Sequence, residues 1–346
     1  MYLDSCSKHG LSRAELISLV VTKMNISMSG SVNEETSSSG DSEVEEMRSD
    51  YRCGFAAIVG RPNVGKSTLL NALLKRKVSI VSPKPQTTRH RILGILTEPE
   101  AQIVFVDTPG IHITEKRMMN RYMNRAAMAS LADADVDLFL VEALRWTDED
   151  QFVLDNIKQR GRPIILLVSK VDKVNPKERL MPFMSELVGK ADFAEVVPIS
   201  SMKKINLERL PSLIAKYLPL SPPHFPEEQF TDRSERFQTA EVIREKLTWR
   251  LRDELPYGLT VEIERFEFDD ETGKLVINAV IWVERAGQKA IVIGDKGEGL
   301  KKVGTAARLE LQKMLNTPIH LELWVKVKEN WSDSAAALQQ FGFDTN

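Results

Sequence analysis

The octet "GRPNVGKS", Gly60 to Ser67, follows the apolar run "FAAIV" directly and opens a stretch of helical composition. A strand that must pass through this loop into a helix leaves few folds open. The two glycines let the backbone wrap an anion with successive N–H groups, and the helix N-terminus adds partial positive charge. Lys66 brings a full positive charge to the β and γ phosphates of a nucleotide, and the Ser67 hydroxyl is a ligand for Mg²⁺. Gly60, Arg61, Pro62, Asn63, Val64, Gly65, Lys66, Ser67 and Thr68 form the expected phosphate cradle. The strand–loop–helix setting separates this motif from an ordinary glycine-rich turn.

The apolar runs that continue from this point set the architecture. "FAAIV", "QIVFV", "DLFLV", "PIILLV" and "AEVVPI" suit strands of a sheet covered on both faces. Helix-length segments lie between them, at 117–131, 147–159 and 206–217. The alternation predicts a doubly wound α/β domain over residues 51–220. "LPLSPPHFPEE" follows, where four prolines forbid continued helix or central strand. Residues 221–234 are therefore expected to form a semi-rigid linker.

The pattern then changes. A helix is predicted from about Glu235 to Leu251, and "LTVEIERFEF", "KLVINAVIWV" and "IHLELWVKVK" alternate with period two. Two further helices flank "GDKG", so a compact α+β unit of order α-β-β-α-α-β covers 235–330. Residues 331–346 read as a short helix and tail. A chain of 346 residues has room for two such domains.

Charge and composition limit what the rest can be. The net charge of −2 excludes a chain that is basic throughout, so any nucleic-acid surface is local. Between Arg285 and Arg308, Arg285, Lys289, Lys296, Lys301, Lys302 and Arg308 face only Asp295 and Glu298. A GxxG loop between two helices inside such a patch suits a single RNA strand, which it clamps through the backbone. Gly294, Asp295, Lys296, Gly297, Lys289, Lys301 and Lys302 are the RNA-binding candidates. The two cysteines, Cys6 and Cys53, lie far apart, which excludes a zinc motif and fits a reducing compartment. No apolar run approaches the roughly 18 residues of a membrane span. Residues 1–50 hold nine acidic residues against Lys8, Arg13, Lys23 and Arg48, and are rich in serine. That composition predicts a disordered acidic extension, or translation that starts at Met47.

Three more segments complete the nucleotide chemistry. "VFVDTPG" places Asp107 at a strand end, where it holds Mg²⁺ through water, and Thr108, Pro109, Gly110 and Ile111 follow. The Gly110 N–H then meets the γ phosphate. "SPKPQTTRH" is an irregular polar stretch whose threonine ligates Mg²⁺ only while a γ phosphate is present. Of the two threonines there, Thr87 and Thr88, Thr88 is assigned that role, with Ser67 and Asp107 completing the metal set. In "SKVD" (Ser169, Lys170, Val171, Asp172), the aspartate accepts two bonds from the N1 and N2 edge of guanine. Adenine presents a bare acceptor there. Ser200, Ser201 and Met202 in "PISSMKK" offer backbone N–H groups to the guanine O6.

Taken in order, these motifs resemble the Era family of GTPases. "GRPNVGKSTLLNALL", "QTTRHRILGI", "FVDTPGIH", "FPEEQFTDRSERF", "LPYGLTVEIERF", "GQKAIVIGDKG" and "HLELWVKVK" carry the resemblance across about residues 51–342. It implies an α/β P-loop GTPase domain followed by an α+β type-2 KH domain. It further implies GTP and GDP as ligands, Mg²⁺, slow intrinsic hydrolysis, and a monomer that binds small-subunit ribosomal RNA during small-subunit maturation. The family is reported in the cytoplasm and at the inner face of the bacterial membrane, which implies a peripheral contact there. Related GTPases place potassium near the phosphates on the phosphate-loop asparagine, here Asn63. Lys66, Thr88, Gly110 and Asn63 are thus the catalytic candidates, because Ile111 stands where other GTPases carry a water-orienting glutamine. An alternative is a nucleotide-switched adaptor at a membrane or between proteins, against which the basic patch argues.

The sequence departs from the family at four places. Ser169 replaces the asparagine of the base-reading box, and is expected to reach its neighbours only through water. Met202 and Lys204 stand where alanine and glycine are usual, Asp295 and Glu298 make the KH loop more acidic, and the amino-terminal extension is additional.

Overall fold

The computed structural model describes residues 50–84, 87–109, 118–251 and 258–343, with only the backbone for 126–132. The acidic extension before residue 50, Gln86, and Gly110, Ile111 and His112 lie outside these described residues.

The first unit runs β1 (Arg52–Val59), α1 (Lys66–Leu74), β2 (Ile92–Glu98), β3 (Ala101–Asp107), α2 (Met118–Ala132), β4 (Val136–Glu142), α3 (Asp148–Lys158), β5 (Ile164–Ser169), α4 (Leu180–Val188), β6 (Glu195–Pro198) and α5 (Leu210–Ala215). Its six strands lie in the order β2-β3-β1-β4-β5-β6. All neighbours are parallel except β2, which runs antiparallel to β3. The continuous apolar strands follow from helices on both faces. One face packs Ile58, Phe105, Leu138 and Ile165 against α1 and α5, and the other packs Val59, Phe139 and Leu166 against Val153 of α3. Thr147 caps α3 with a reciprocal capping box through Asp150, which fixes where that helix begins.

β2 was not among the expected strands. The reading 206–217 for one helix is also shortened, because Asn206 adopts a left-handed φ of +58° and the helix runs only Leu210–Ala215.

The proline-rich stretch is docked against this sheet instead of spanning free space. The Gln102 side chain accepts from the N–H groups of His224 and Phe225 and donates to the Phe225 carbonyl. Phe225 packs with Phe55, Leu93 and Val104, and Ile95 N–H donates to the Phe230 carbonyl at 2.9 Å. The outer edge of β2 is thereby covered, as an exposed sheet edge requires.

The second unit is α6 (Glu235–Arg250), β7 (Leu259–Asp269), β8 (Lys274–Val283), α7 (Ala286–Ile293), α8 (Glu298–Leu315) and β9 (Ile319–Val327). β8 lies centrally, antiparallel to β7 and parallel to β9. One sheet face buries Ile277, Ala279 and Ile281 against Val242, Leu247, Val303 and Leu311 of the helices.

The last stretch is no loose tail. Helix α9 (Ala335–Gln340) and its flanks bury Trp331 and Phe343 with Met119 of α2. The Asp333 carboxylate accepts from Met118 N–H at 2.9 Å, so the end of the chain is tied to the first unit.

Candidate functional site

The carboxyl ends of β1, β3, β5 and β6 carry the phosphate loop, Asp107, Ser169 and Ser200 in turn. That edge of an open α/β sheet is where ligands bind. Lys66 is buried at the start of α1, and its ammonium donates to the carbonyls of Gly60 at 2.8 Å and Arg61 at 3.1 Å. Arg61 points away from the cradle. It bonds Glu142 at 2.5 Å and lies 3.3 Å from Asp150, while Lys170 meets Glu142 at 3.1 Å. Burial works to raise the Glu142 carboxyl, but bonds from Arg61 and Lys170 hold it below the usual range. Glu142 thus joins the phosphate loop to the base-reading loop.

Three oxygens from three segments converge. The Ser67 hydroxyl is 2.9 Å from Thr88 Oγ1 and donates to Asp107 Oδ2 at 2.9 Å, and Thr88 Oγ1 is 3.4 Å from that same carboxylate oxygen. The Thr87 hydroxyl is used inside its own loop, on the Lys84 carbonyl at 2.6 Å. Thr88 and not Thr87 therefore faces the cluster. Ser79, which the sequence did not single out, also donates to Asp107 Oδ2 at 2.9 Å. It is held there by Asn71, whose amide oxygen accepts from the N–H groups of Val78 and Ser79 and whose NH₂ donates to the Ser79 carbonyl.

Burial pushes the Asp107 carboxyl up, against Lys66 and its three hydroxyl donors, and pushes the Lys66 ammonium down to about 8. Both groups are therefore short of counter-charge. Asp107 Oδ1 is buried and has no hydrogen-bond partner among the described residues. A divalent cation with its bound water satisfies that oxygen, and phosphate satisfies Lys66. The residues present fit Mg²⁺ with a nucleotide phosphate.

On the base side, Ser169 corrects an expectation. Its hydroxyl donates directly to the Val64 carbonyl at 2.9 Å, both being buried, so no water is needed to reach the phosphate loop. β5 ends with Ser169 facing that loop, and the shorter side chain suffices. Asp172 sits in a single 3₁₀ turn after Lys170, which has φ +58°. Ser200 donates to Asp172 Oδ1 at 2.6 Å and accepts from Lys203 N–H at 3.0 Å. Ser201 follows in the same turn, and Met202 is 76% exposed. Lys204, where the family has glycine, takes the left-handed conformation with φ +56°. Thr108 bonds the Ile58 carbonyl at 3.3 Å, and Asn63 donates to the Pro83 carbonyl at 3.0 Å, tying the phosphate loop to the following polar loop.

The second candidate site is separate. Gly294, Asp295, Lys296 and Gly297 form the turn between α7 and α8, with φ of +73°, +46° and +82° at Gly294, Lys296 and Gly297. Gly299 follows for a steric reason. A Cβ there would lie 2.7 Å from the Ile293 carbonyl oxygen, so the two helices approach only over glycine. Lys301 and Lys302 are exposed on α8, and Lys302 pairs with Glu298 at 2.5 Å. That ion pair withdraws one cation from the patch.

Residues 55–170 match the family model described as a 50S ribosome-binding GTPase, and residues 254–332 match a KH domain. The GTPase Era of Marinobacter nauticus is 53% identical over 293 residues, covering 85% of this chain and 95% of the relative. The chain belongs to the Era family of GTPases. As an Era GTPase it hydrolyses GTP, and its fold is a P-loop GTPase domain followed by a KH domain. The GTPase Era of Yersinia pestis is 50% identical, covering 87% of this chain and 98% of its own. An Era variant of Aquifex aeolicus, crystallised with GDP·AlF₄⁻, superposes with a TM-score of 0.82 at 43% identity, covering 84% of this chain and 99% of the other. A second Era structure, with MgGDPNP and nucleotides 1506–1542 of 16S ribosomal RNA, has the same score and identity, covering 85% and 99%.

Proposed function

We propose that this protein binds Mg²⁺·GTP at the edge formed by Gly60–Thr68, Asp107–Ile111, Ser169–Asp172 and Ser200–Met202, and small-subunit ribosomal RNA at its GxxG turn. Hydrolysis then times its release from a maturing small ribosomal subunit. The observation that carries the reading is the convergence of Ser67, Thr88 and Asp107 beside buried Lys66. The Era relative solved with MgGDPNP and 16S RNA supports both ligands.

Ser67 and Thr88 would hold the metal directly and Asp107 through water. Mg²⁺ bound there supplies positive charge to the β and γ phosphates. Lys66 neutralises the same oxygens, and the Gly110 N–H serves the γ phosphate. Asp172 reads the base with its carboxylate, whose Oδ1 also accepts from Ser200. With an apolar residue at 111, water has no glutamine to align it, and turnover is slow. Asn63 would hold a potassium ion, which would supply further positive charge near the phosphates. Asn63 uses its NH₂ on Pro83, which leaves the amide oxygen for a cation.

The basic turn around Lys289, Lys296, Lys301 and Lys302 is the RNA surface. Among the described residues no helix is long and apolar enough to cross a membrane. The family resemblance is what suggests a cytoplasmic monomer with a peripheral membrane contact. Crosslinking with sequencing of bound RNA, with GTP analogue or GDP present, tests the reading. Enrichment of small-subunit ribosomal RNA in the GTP-analogue state is expected. Enrichment of other RNA, or indifference to nucleotide, overturns it.

A further inference from the structure

The polar loop that carries Thr88 is held from outside its own domain. Val81 N–H donates to Glu245 Oε1 at 2.9 Å, and the Val81 carbonyl accepts from the Trp249 indole at 2.9 Å. Lys84 reaches the Leu251 carbonyl, and Lys77 pairs with Glu245. At the far end, the guanidinium of Arg244 donates to the Thr87 carbonyl. Arg89 donates to the Leu259 carbonyl at 2.6 Å. All of these partners lie in α6 or the segment after it, within the KH domain.

Arg244 is the contact with a chemical consequence. Its side chain is 4% exposed and is gripped by Glu241 through bonds of 2.7 Å and 2.6 Å. A planar guanidinium held on two sides by a carboxylate has little freedom left. The nitrogen that bonds Glu241 Oε2 also donates to the carbonyl of the peptide that links Thr87 to Thr88. Fixing that peptide plane fixes the direction of the Thr88 side chain, whose hydroxyl stands 2.9 Å from Ser67.

We infer that Arg244 is a positioning residue for GTP hydrolysis: the KH-domain helix holds Thr88 in place as a metal ligand. The inference rests on the reading of Thr88 as a Mg²⁺ ligand given above. An arginine that acts this way affects only the state in which Thr88 touches the metal, the one with a γ phosphate. Its loss leaves Mg²⁺·GDP alone. A merely structural arginine would weaken both nucleotides together or neither.

The test measures the Mg²⁺ concentration that half-saturates binding of fluorescent GDPNP and, separately, of GDP, on the full chain. Arg244→Ala would strand the buried Glu241 charge. The variant used is therefore the paired Glu241→Gln with Arg244→Met, which removes both charges while keeping similar volume. Arg244→Lys, which keeps the charge but not the planar fork, serves as a second variant. Thr88→Ala provides the reference. The paired variant is expected to raise the Mg²⁺ requirement with GDPNP at least fivefold and to leave it unchanged with GDP. Combined with Thr88→Ala it should add nothing further, because both changes remove one ligand. If Thr88→Ala raises the requirement and the paired and lysine variants do not, Arg244 has no such role while the metal assignment stands. If the effects add, Arg244 acts elsewhere and the inference falls. If Thr88→Ala itself changes nothing, the assignment of Thr88 fails and takes the inference with it.

Discussion

The Ser169 hydroxyl donates to the Val64 carbonyl at 2.9 Å, and this bond joins the base-reading loop to the phosphate loop. Serine therefore performs the tying role of the family's asparagine. Ser169→Ala leaves a buried carbonyl without its donor, which costs about 1 kcal/mol. GDP affinity is expected to fall about fivefold, measured by nucleotide titration. Ser169→Asn, with the tie already present, should move affinity by less than that.

Asp172 is the residue proposed to set base choice. Ser200 occupies Oδ1 at 2.6 Å and biases the carboxylate's orientation. Asp172→Asn places a donor where guanine also donates, while xanthine presents an acceptor. Preference should shift toward xanthosine nucleotides by roughly a hundredfold, since bonds to a charged partner are each worth about 1.5–3 kcal/mol. Competition between GDP and XDP measures it. Unchanged choice would remove Asp172 from the base site.

Hydrolysis is expected to run faster in potassium than in sodium at matched ionic strength. Asn63, with φ +60° and its NH₂ on the Pro83 carbonyl, is the ligand in question. Asn63→Ala should abolish the difference between the salts. Equal rates in the parent protein would dispose of the ion.

At the GxxG turn, a Cβ added to Gly297 meets nothing within 4 Å, so a side chain there is not excluded by contact. Gly297→Asp therefore acts mainly through charge and the φ of +82°. RNA affinity should fall about tenfold, with a shallower salt dependence, while nucleotide affinity stays unchanged. A filter-binding titration that shows no loss would take the turn out of the RNA site.

Much of this site was legible because its chemistry is local. Gly60–Ser67, Asp107 and Asp172 each sit at a strand end, where a short motif specifies both the turn and the ligand. The strand β2 was not legible, since Gly94 interrupts its apolar run. Gly94 is there because a Cβ would come within 2.6 Å of Leu70 in α1. Helix α4 was masked by Pro182 in its first turn. Ser79 gave no signal at all, because it reaches Asp107 only through Asn71's placement of its backbone. Arg244 and Glu241 are, in the sequence, simply opposite charges three residues apart. Only the packing of one domain on the other turns them into a buried pair, and no pattern within α6 records its neighbour.

Asp137 provides a pH test away from the nucleotide. Its carboxyl is buried in β4, without a hydrogen-bond partner among the described residues, and burial raises it from 3.8 to about 6 against the pull of Arg160 and Arg162. The folded protein thus binds the proton more tightly than the unfolded chain. Stability on this account is full below about pH 4 and is lost as pH rises through 6. Asp137→Asn should be nearly neutral at pH 4 and stabilising by about 3 kcal/mol well above pH 6. Urea unfolding at both pH values checks the sign. A variant less stable at pH 8 than the parent would refute it.

The His90 ring lies between Phe237 and Phe343, at 5.3 Å and 4.4 Å between centroids, and Phe343 is nearly the last residue of the chain. Chains are made from the amino terminus, and domains fold in that order. The nucleotide-binding sheet is therefore complete while Trp331 and Phe343 are still to be synthesised. Until they emerge, His90 has Phe237 on one side only, and Met119 lacks the aromatic rings that bury it. A nascent chain can own every residue of the phosphate cradle before the aromatic cluster on Met119 of α2 exists. Phe343 covers His90, and Trp331 seats against Met119, only after the strands of both domains have been made.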